Sequence, residues 1–131
     1  MRDFSYIGFN SLAALSTNYN VIGTTWYNHC SATVASNKWH TFNMTLPSSG
    51  VWVVSVSCRV QSNSSTSVMH AQLSGLHTWS YFSGYLTNQG DIYPMVNLSN
   101  IVKGNCFSIM VLHSVGTTVA VDCFCTAVRI A

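Results

Sequence analysis

From about Asn37 to the end of the chain, apolar residues alternate with polar ones over short runs separated by Gly, Pro, Asn and Ser. A period of two broken by such residues is the signature of β-strands joined by turns, and no long helical period competes with it. The clearest strand covers 51–60, where Trp52, Val54, Val56, Cys58 and Val60 share one face and Ser55, Ser57 and Arg59 the other. One face is therefore core and the other wet. The preceding Leu46-Pro47-Ser48-Ser49-Gly50 reads as a turn, with proline fixing one backbone angle and glycine free to adopt the positive one. Residues 38–46 are then expected to pair with 51–60 as a hairpin. Further strands are predicted over 26–34, 67–75, 78–86, 92–99, 106–114 and 117–130, about seven or eight in all. The fold class is all-β, an antiparallel sandwich.

Two late strands are apolar on both faces. Phe107, Ile109, Val111 and Val115 fall on one side of 106–114, and Met110 with Leu112 on the other. Val119, Val121, Phe124, Val128 and Ile130 behave similarly in 117–130. Strands of that kind must be covered on both sides, so they are expected to pack inward on the core and outward on a neighbouring subunit. Phe107, Ile109, Val111, Val121 and Phe124 are the residues expected at that contact. Residues 1–22 fit the alternation poorly and read as an N-terminal arm, leaving 23–131 as one head domain; Phe9 to Leu15 fits one short helical turn.

Composition sharpens this picture. The 131 residues are 48% hydrophobic but only 6% charged, with Asp3, Asp91 and Asp122 as the acids and a net charge of +2. Hydroxyls and amides must carry solubility, and a surface so poor in charge favours self-association. Arg2, Lys38, Arg59, Lys103 and Arg129 are scattered along the chain, so the basic patch of a nucleic-acid binder is missing. No run approaches the length of a membrane-spanning segment, and no secretion signal is visible at the N-terminus. The five cysteines are an odd number, which forbids complete internal pairing and argues against a disulfide framework.

Catalytic chemistry is hard to assemble. A nucleophile, base and acid could be drawn only from His113, Ser114 and Asp122, without a strained nucleophile turn around the serine. Three aspartates, one of them in the arm, make a poor source of paired carboxylates. Cys123-x-Cys125 puts two thiols on one strand face without a second pair to complete a zinc site, and His29, His40, His70, His77 and His113 lack ligand spacing; no metal or cofactor is expected. Asn43-Met44-Thr45, Asn63-Ser64-Ser65 and Asn97-Leu98-Ser99 match the glycosylation pattern but are unremarkable in a chain rich in Asn, Ser and Thr. The aromatics Trp79, Tyr81, Phe82, Tyr85 and Tyr93 cluster around the segment 83–91. Ring faces stack on sugars while polar tips direct hydrogen bonds, so Trp79, Tyr81, Tyr85, Asn88, Gln89, Asp91 and Tyr93 are the candidate receptor-binding residues.

The order Leu46-Pro47-x-x-Gly50-Val51-Trp52, then Leu98 with Val102-Lys103-Gly104-Asn105, then Ala127-Val128-Arg129-Ile130 resembles trimeric jelly-roll heads of the complement-globular and tumour-necrosis-factor type. It is most similar to the versions at the tips of bacteriophage tail fibres and on other virion proteins. Asn105 stands where that family usually has Asp. The resemblance covers roughly 38–131. It implies a non-enzymatic homotrimer on a virion surface, recognising a host receptor, glycan or protein, and contacting other virion proteins. The alternative it leaves open is a decoration protein that clamps a capsid.

Overall fold

A computed structural model describes residues 21–61, 68–76, 80–85 and 95–131, with strand placement alone for 80–85. Its strands are β1 (Thr25–Val34), β2 (His40–Val60), β3 (Val68–Leu73), β4 (Ser80–Tyr85), β5 (Met95–His113) and β6 (Val119–Arg129). All pairings are antiparallel, and hydrogen bonding runs in the order β1-β6-β2-β5-β3-β4.

The length of β2 and β5 explains how one hydrogen-bonded series makes two layers. The second half of β2 pairs with both β6 and the first half of β5, whereas its first half pairs with the second half of β5 alone. β3 and β4 continue from that second half of β5. A front sheet therefore holds β1, β6, the end of β2 and the start of β5; a back sheet holds the start of β2, the end of β5, β3 and β4. The layers meet face to face. Trp26 of β1 stands edge-on to Phe107 of β5, ring centroids 6.0 Å apart at 86°. Two sheets sharing strands that cross between them in this order form a jelly-roll β-sandwich.

The corner is made by the residues that read as a turn. Four residues, Leu46 to Ser49, lie opposite Asn105 alone between the Thr45↔Cys106 and Gly50↔Gly104 pairs, a large bulge that bends the strand without reversing it. The expected hairpin of 38–46 with 51–60 does not form: the two segments are successive halves of β2, each paired to β5. The segments read as 92–99 and 106–114 likewise fuse into β5. Trp52 closes the corner by donating its indole N–H to Ser48 O at 3.1 Å. A Cβ on Gly50 would lie 2.6 Å from Arg129 Nε and 2.7 Å from the Ala131 carbonyl oxygen, so only glycine admits that approach.

Phe42, Met44 and Leu46 are buried before the corner, and Trp52, Val54, Val56, Cys58 and Val60 after it. In β5 the inward set changes from Val96, Leu98 and Val102 to Phe107, Ile109 and Val111. That switch from even to odd numbers falls at Gly104, whose φ of 110° suits a residue without a Cβ.

Candidate functional site

The outer face of the front sheet is built from alternate residues of four strands in register. Thr25, Val128, Val53 and Ile101 form its first row, Tyr27, Thr126, Ser55 and Ser99 the next, then His29, Phe124, Ser57 and Asn97, and finally Ser31, Asp122, Arg59 and Met95. The first row is apolar across three strands: Val53, Ile101 and Val128 are each 37–41% exposed. Ile130 and Leu76 are exposed beyond it, with the Leu76 N–H donating to Ile101 O at 2.8 Å. Tyr27 is 63% exposed in the next row. A contiguous apolar patch of this kind marks an interaction surface more often than a wet one.

The far end of the face is polar and pre-organised. Asp122 is buried among donors: Arg59 Nη2 at 2.8 Å and Nε at 3.3 Å, Gln61 Nε2 at 2.9 Å, and His29 Nε2 at 3.3 Å. Phe124 stacks on His29, with centroids 4.5 Å apart and ring planes within 5°, and Arg59 lies 5.6 Å from the same ring. Burial by itself raises the Asp122 pKa, but the hydrogen bonds from Arg59, Gln61, Ser31 and His29 overcome it and hold the carboxyl well below its ordinary value.

A carboxylate more acidic in the folded than in the unfolded chain stabilises the fold above the unfolded pKa, about 4, and loses that contribution as pH falls towards the folded value. Urea unfolding is therefore expected to show the wild-type chain losing stability progressively below about pH 4. Asp122→Asn should be less stable at neutral pH and nearly flat over the same acid range.

The residues singled out from the sequence divide sharply. Phe107, Ile109, Val111 and Val121 are at most 3% exposed; they fill the core of the domain and offer no surface to a neighbour. Their partners on the opposite layer supply the cover that the sequence reading assigned to another copy. Phe124 alone of the five lies on the outer face, half-buried. Val53, Val128, Ile101 and Tyr27 make the apolar part of the face instead. The signal for Val53 was present: it is apolar at an outward position of a strand whose inward positions are already filled by Trp52 and Val54.

Tyr81 and Tyr85 lie in β4, the last strand of the back sheet among the described residues, opposite Gln72 and Val68. Trp79, Asn88, Gln89, Asp91 and Tyr93 lie outside the described residues, as do residues 1–20 of the arm. The residues considered for catalysis are each engaged with other partners. His113 is fully buried, with Nε2 at 2.8 Å from Val34 O and Nδ1 accepting from Val115 N at 3.3 Å. Ser114 Oγ accepts from Val68 N at 2.8 Å, and Asp122 is engaged on the front sheet. Among the described residues no group of three or more His, Cys, Asp or Glu could hold a metal ion, and no helix is long and apolar enough to cross a membrane.

Fold and face together define an all-β jelly-roll domain with one broad, charge-poor outer sheet face. No protein-family model matches the chain, and no curated protein matches it in sequence. Solved structures resemble it at low identity. The globular domain of zebrafish complement 1qA protein is 8% identical with a TM-score of 0.47, over 82% of this chain and 97% of that one. An infectious bursal disease virus structure, Gt strain, is 9% identical with a TM-score of 0.45, over 82% of this chain and 32% of that one. A carbohydrate-binding module, TmCBM61 in complex with β-1,4-galactotriose, is 10% identical with a TM-score of 0.44, over 80% of this chain and 88% of that one.

Proposed function

We propose that this chain is a non-enzymatic recognition head of a virion surface, a homotrimer that attaches the particle to a host receptor, with a surface glycan as the favoured ligand class. The observation that carries the reading is the outer face of the front sheet. Its Val53, Val128 and Ile101 row is exposed in one subunit, in a chain with only 6% charged residues to keep it soluble alone. Covering such a row with a second and third copy removes apolar surface from water at about 25 cal/mol per Å². Cyclic closure then leaves no free copy of the face to nucleate fibres.

Assembly through the front sheet leaves the β4 edge of the back sheet for the receptor. Tyr81 and Tyr85 on that edge, with Trp79, Asn88, Gln89, Asp91 and Tyr93 from the neighbouring segments, are the recognition residues of this reading. Virion display, and the trimer in particular, is supported by the Leu46–Trp52 and Val102–Asn105 motifs. Those motifs form the corner of the jelly roll.

Binding of the fluorescent chain to host cells and to an array of surface glycans tests the proposal. Retention by cells or glycans is expected, and Tyr81→Ala with Tyr85→Ala should lower it at least about tenfold while leaving the oligomer intact. Absence of cell and glycan binding, joined to rescue of a heat-sensitive capsid by added protein, would replace the receptor-binding head with a capsid decoration protein.

A further inference from the structure

Four of the five cysteines converge on the inner side of the front sheet. Cys30 of β1, Cys123 of β6 and Cys58 of β2 lie in one row across three adjacent strands, and Cys125 follows two residues along β6. All are free thiols; Cys58, Cys123 and Cys125 are buried and Cys30 half-buried. The Cys58 and Cys123 sulfurs are 3.2 Å apart, and Cys30 Sγ lies 3.8 Å from Cys123 O.

The register decides which pair brings its side chains closest together. Gln61, one step beyond the Val60↔Val121 pair, donates its N–H to Ala120 O at 2.9 Å, so hydrogen-bonded pairs recur at alternate positions back along β2. Cys58↔Cys123 is therefore a non-hydrogen-bonded pair, the kind whose Cα atoms approach to about 4.5 Å with side chains close together. On the other flank Arg129 N donates to Thr24 O at 2.9 Å, one step before Thr25↔Val128. By the same alternation Cys30 faces Cys123 across a wider, hydrogen-bonded pair. Disulfides accept Cα separations of about 4.4–6.8 Å, so both pairs can close, and the 3.2 Å sulfur contact makes Cys58 with Cys123 the resting pair.

We infer that Cys58 and Cys123 are a latent cross-strand disulfide, closed by thiol–disulfide exchange that enters through the half-buried Cys30. The oxidant is a small disulfide such as oxidised glutathione. The Cys30 thiolate attacks one of its sulfurs, the S–S bond breaks, and one glutathione thiolate leaves. Cys123, giving up its proton, attacks Cys30 Sγ and expels the second glutathione. Cys58 then attacks Cys123 Sγ, closes the cross-strand bond and returns Cys30 as a thiol. Two protein thiols are oxidised for one small disulfide reduced to two thiols. Cys30 is the one thiol of the four that is not buried, so attack begins there; hydrogen bonds from the Cys123 and Cys125 side chains also favour its thiolate, and the same hydrogen bonds, with burial, push the Cys123 and Cys125 thiols up. The inference is independent of what the chain binds.

Oxidised glutathione added to the full, reduced chain, followed by alkylation and peptide mapping, is the test. Cys106, exposed on β5, reports ordinary surface reactivity. A linked Cys58–Cys123 peptide is expected, with the intact mass lower by two hydrogens when Cys106 is replaced by serine. Cys30→Ser should slow closure at least about tenfold, since direct attack by a buried thiol is disfavoured. Pairing should be selective in the folded chain and lost in urea. Cys58 and Cys123 both remaining open to alkylation after Cys106 has reacted fully, or closure at an unchanged rate in Cys30→Ser, would overturn the inference.

Discussion

Aspartate at both Val53 and Val128 is expected to leave the chain folded and to abolish its assembly. The two valines are direct cross-strand neighbours on β2 and β6, 37% and 41% exposed, so neither substitution opens the core. Surface changes of this kind cost a single subunit little, with some repulsion between like charges placed opposite each other. Beneath another copy the same two carboxylates would be stripped of water without cationic partners, a juxtaposition that costs several kcal/mol. Assembly should weaken by more than about a hundredfold, close to 3 kcal/mol. Sedimentation velocity should find the variant monomeric where the wild-type chain is assembled. Trp39→Ser is the control: Trp39 is also exposed but stands against His70 of β3, on the back sheet, and its loss should leave the mass unchanged.

The largest effect on folding is expected at Trp52. Its side chain is fully buried at the corner of β2 and holds the Leu46–Gly50 bulge through the bond to Ser48 O. Trp52→Ala removes the largest side chain of the core and leaves a cavity where both sheets diverge, at a cost of about 3–5 kcal/mol. Against a total stability of about 5–15 kcal/mol, much of the population would unfold at moderate temperature. Trp52→Phe keeps most of the volume and loses the N–H bond, for about 1–2 kcal/mol. Urea titration separates the two. Equal costs would mean that the indole N–H, rather than the packed ring, secures the corner.

The strand from Val51 to Val60 was legible because its alternation is local: each of the five residues assigned to its inner face is buried. The corner was not. Pro47 and Gly50 carry the residue chemistry of a chain reversal, and the same chemistry permits a bulge; which one forms depends on β5, which is distant in sequence. The parity change at Gly104 hid the continuity of β5 in the same way, since a switch from even to odd inward positions looks like a new strand. Phe107, Ile109 and Val111 read as surplus apolar surface only because the opposing layer, including Trp26, is invisible from within one strand. The Asp122 network was beyond reach for a related reason. Its donors Arg59 and His29 lie 63 and 93 residues away along the chain, and only the β1-β6-β2 order brings them to one carboxylate.

A jelly roll whose front sheet serves assembly and whose back-sheet edge serves recognition accounts for the scarcity of charge and the exposed valine and isoleucine row together. Light scattering of the wild-type chain at micromolar concentration tests that account most directly. The predicted result is a particle of three times the 14.4 kDa chain mass, stable on dilution and insensitive to moderate salt because its contact is apolar. A monomer at that concentration would contradict it, and the outer face of the front sheet would then have to bind something other than its own copies.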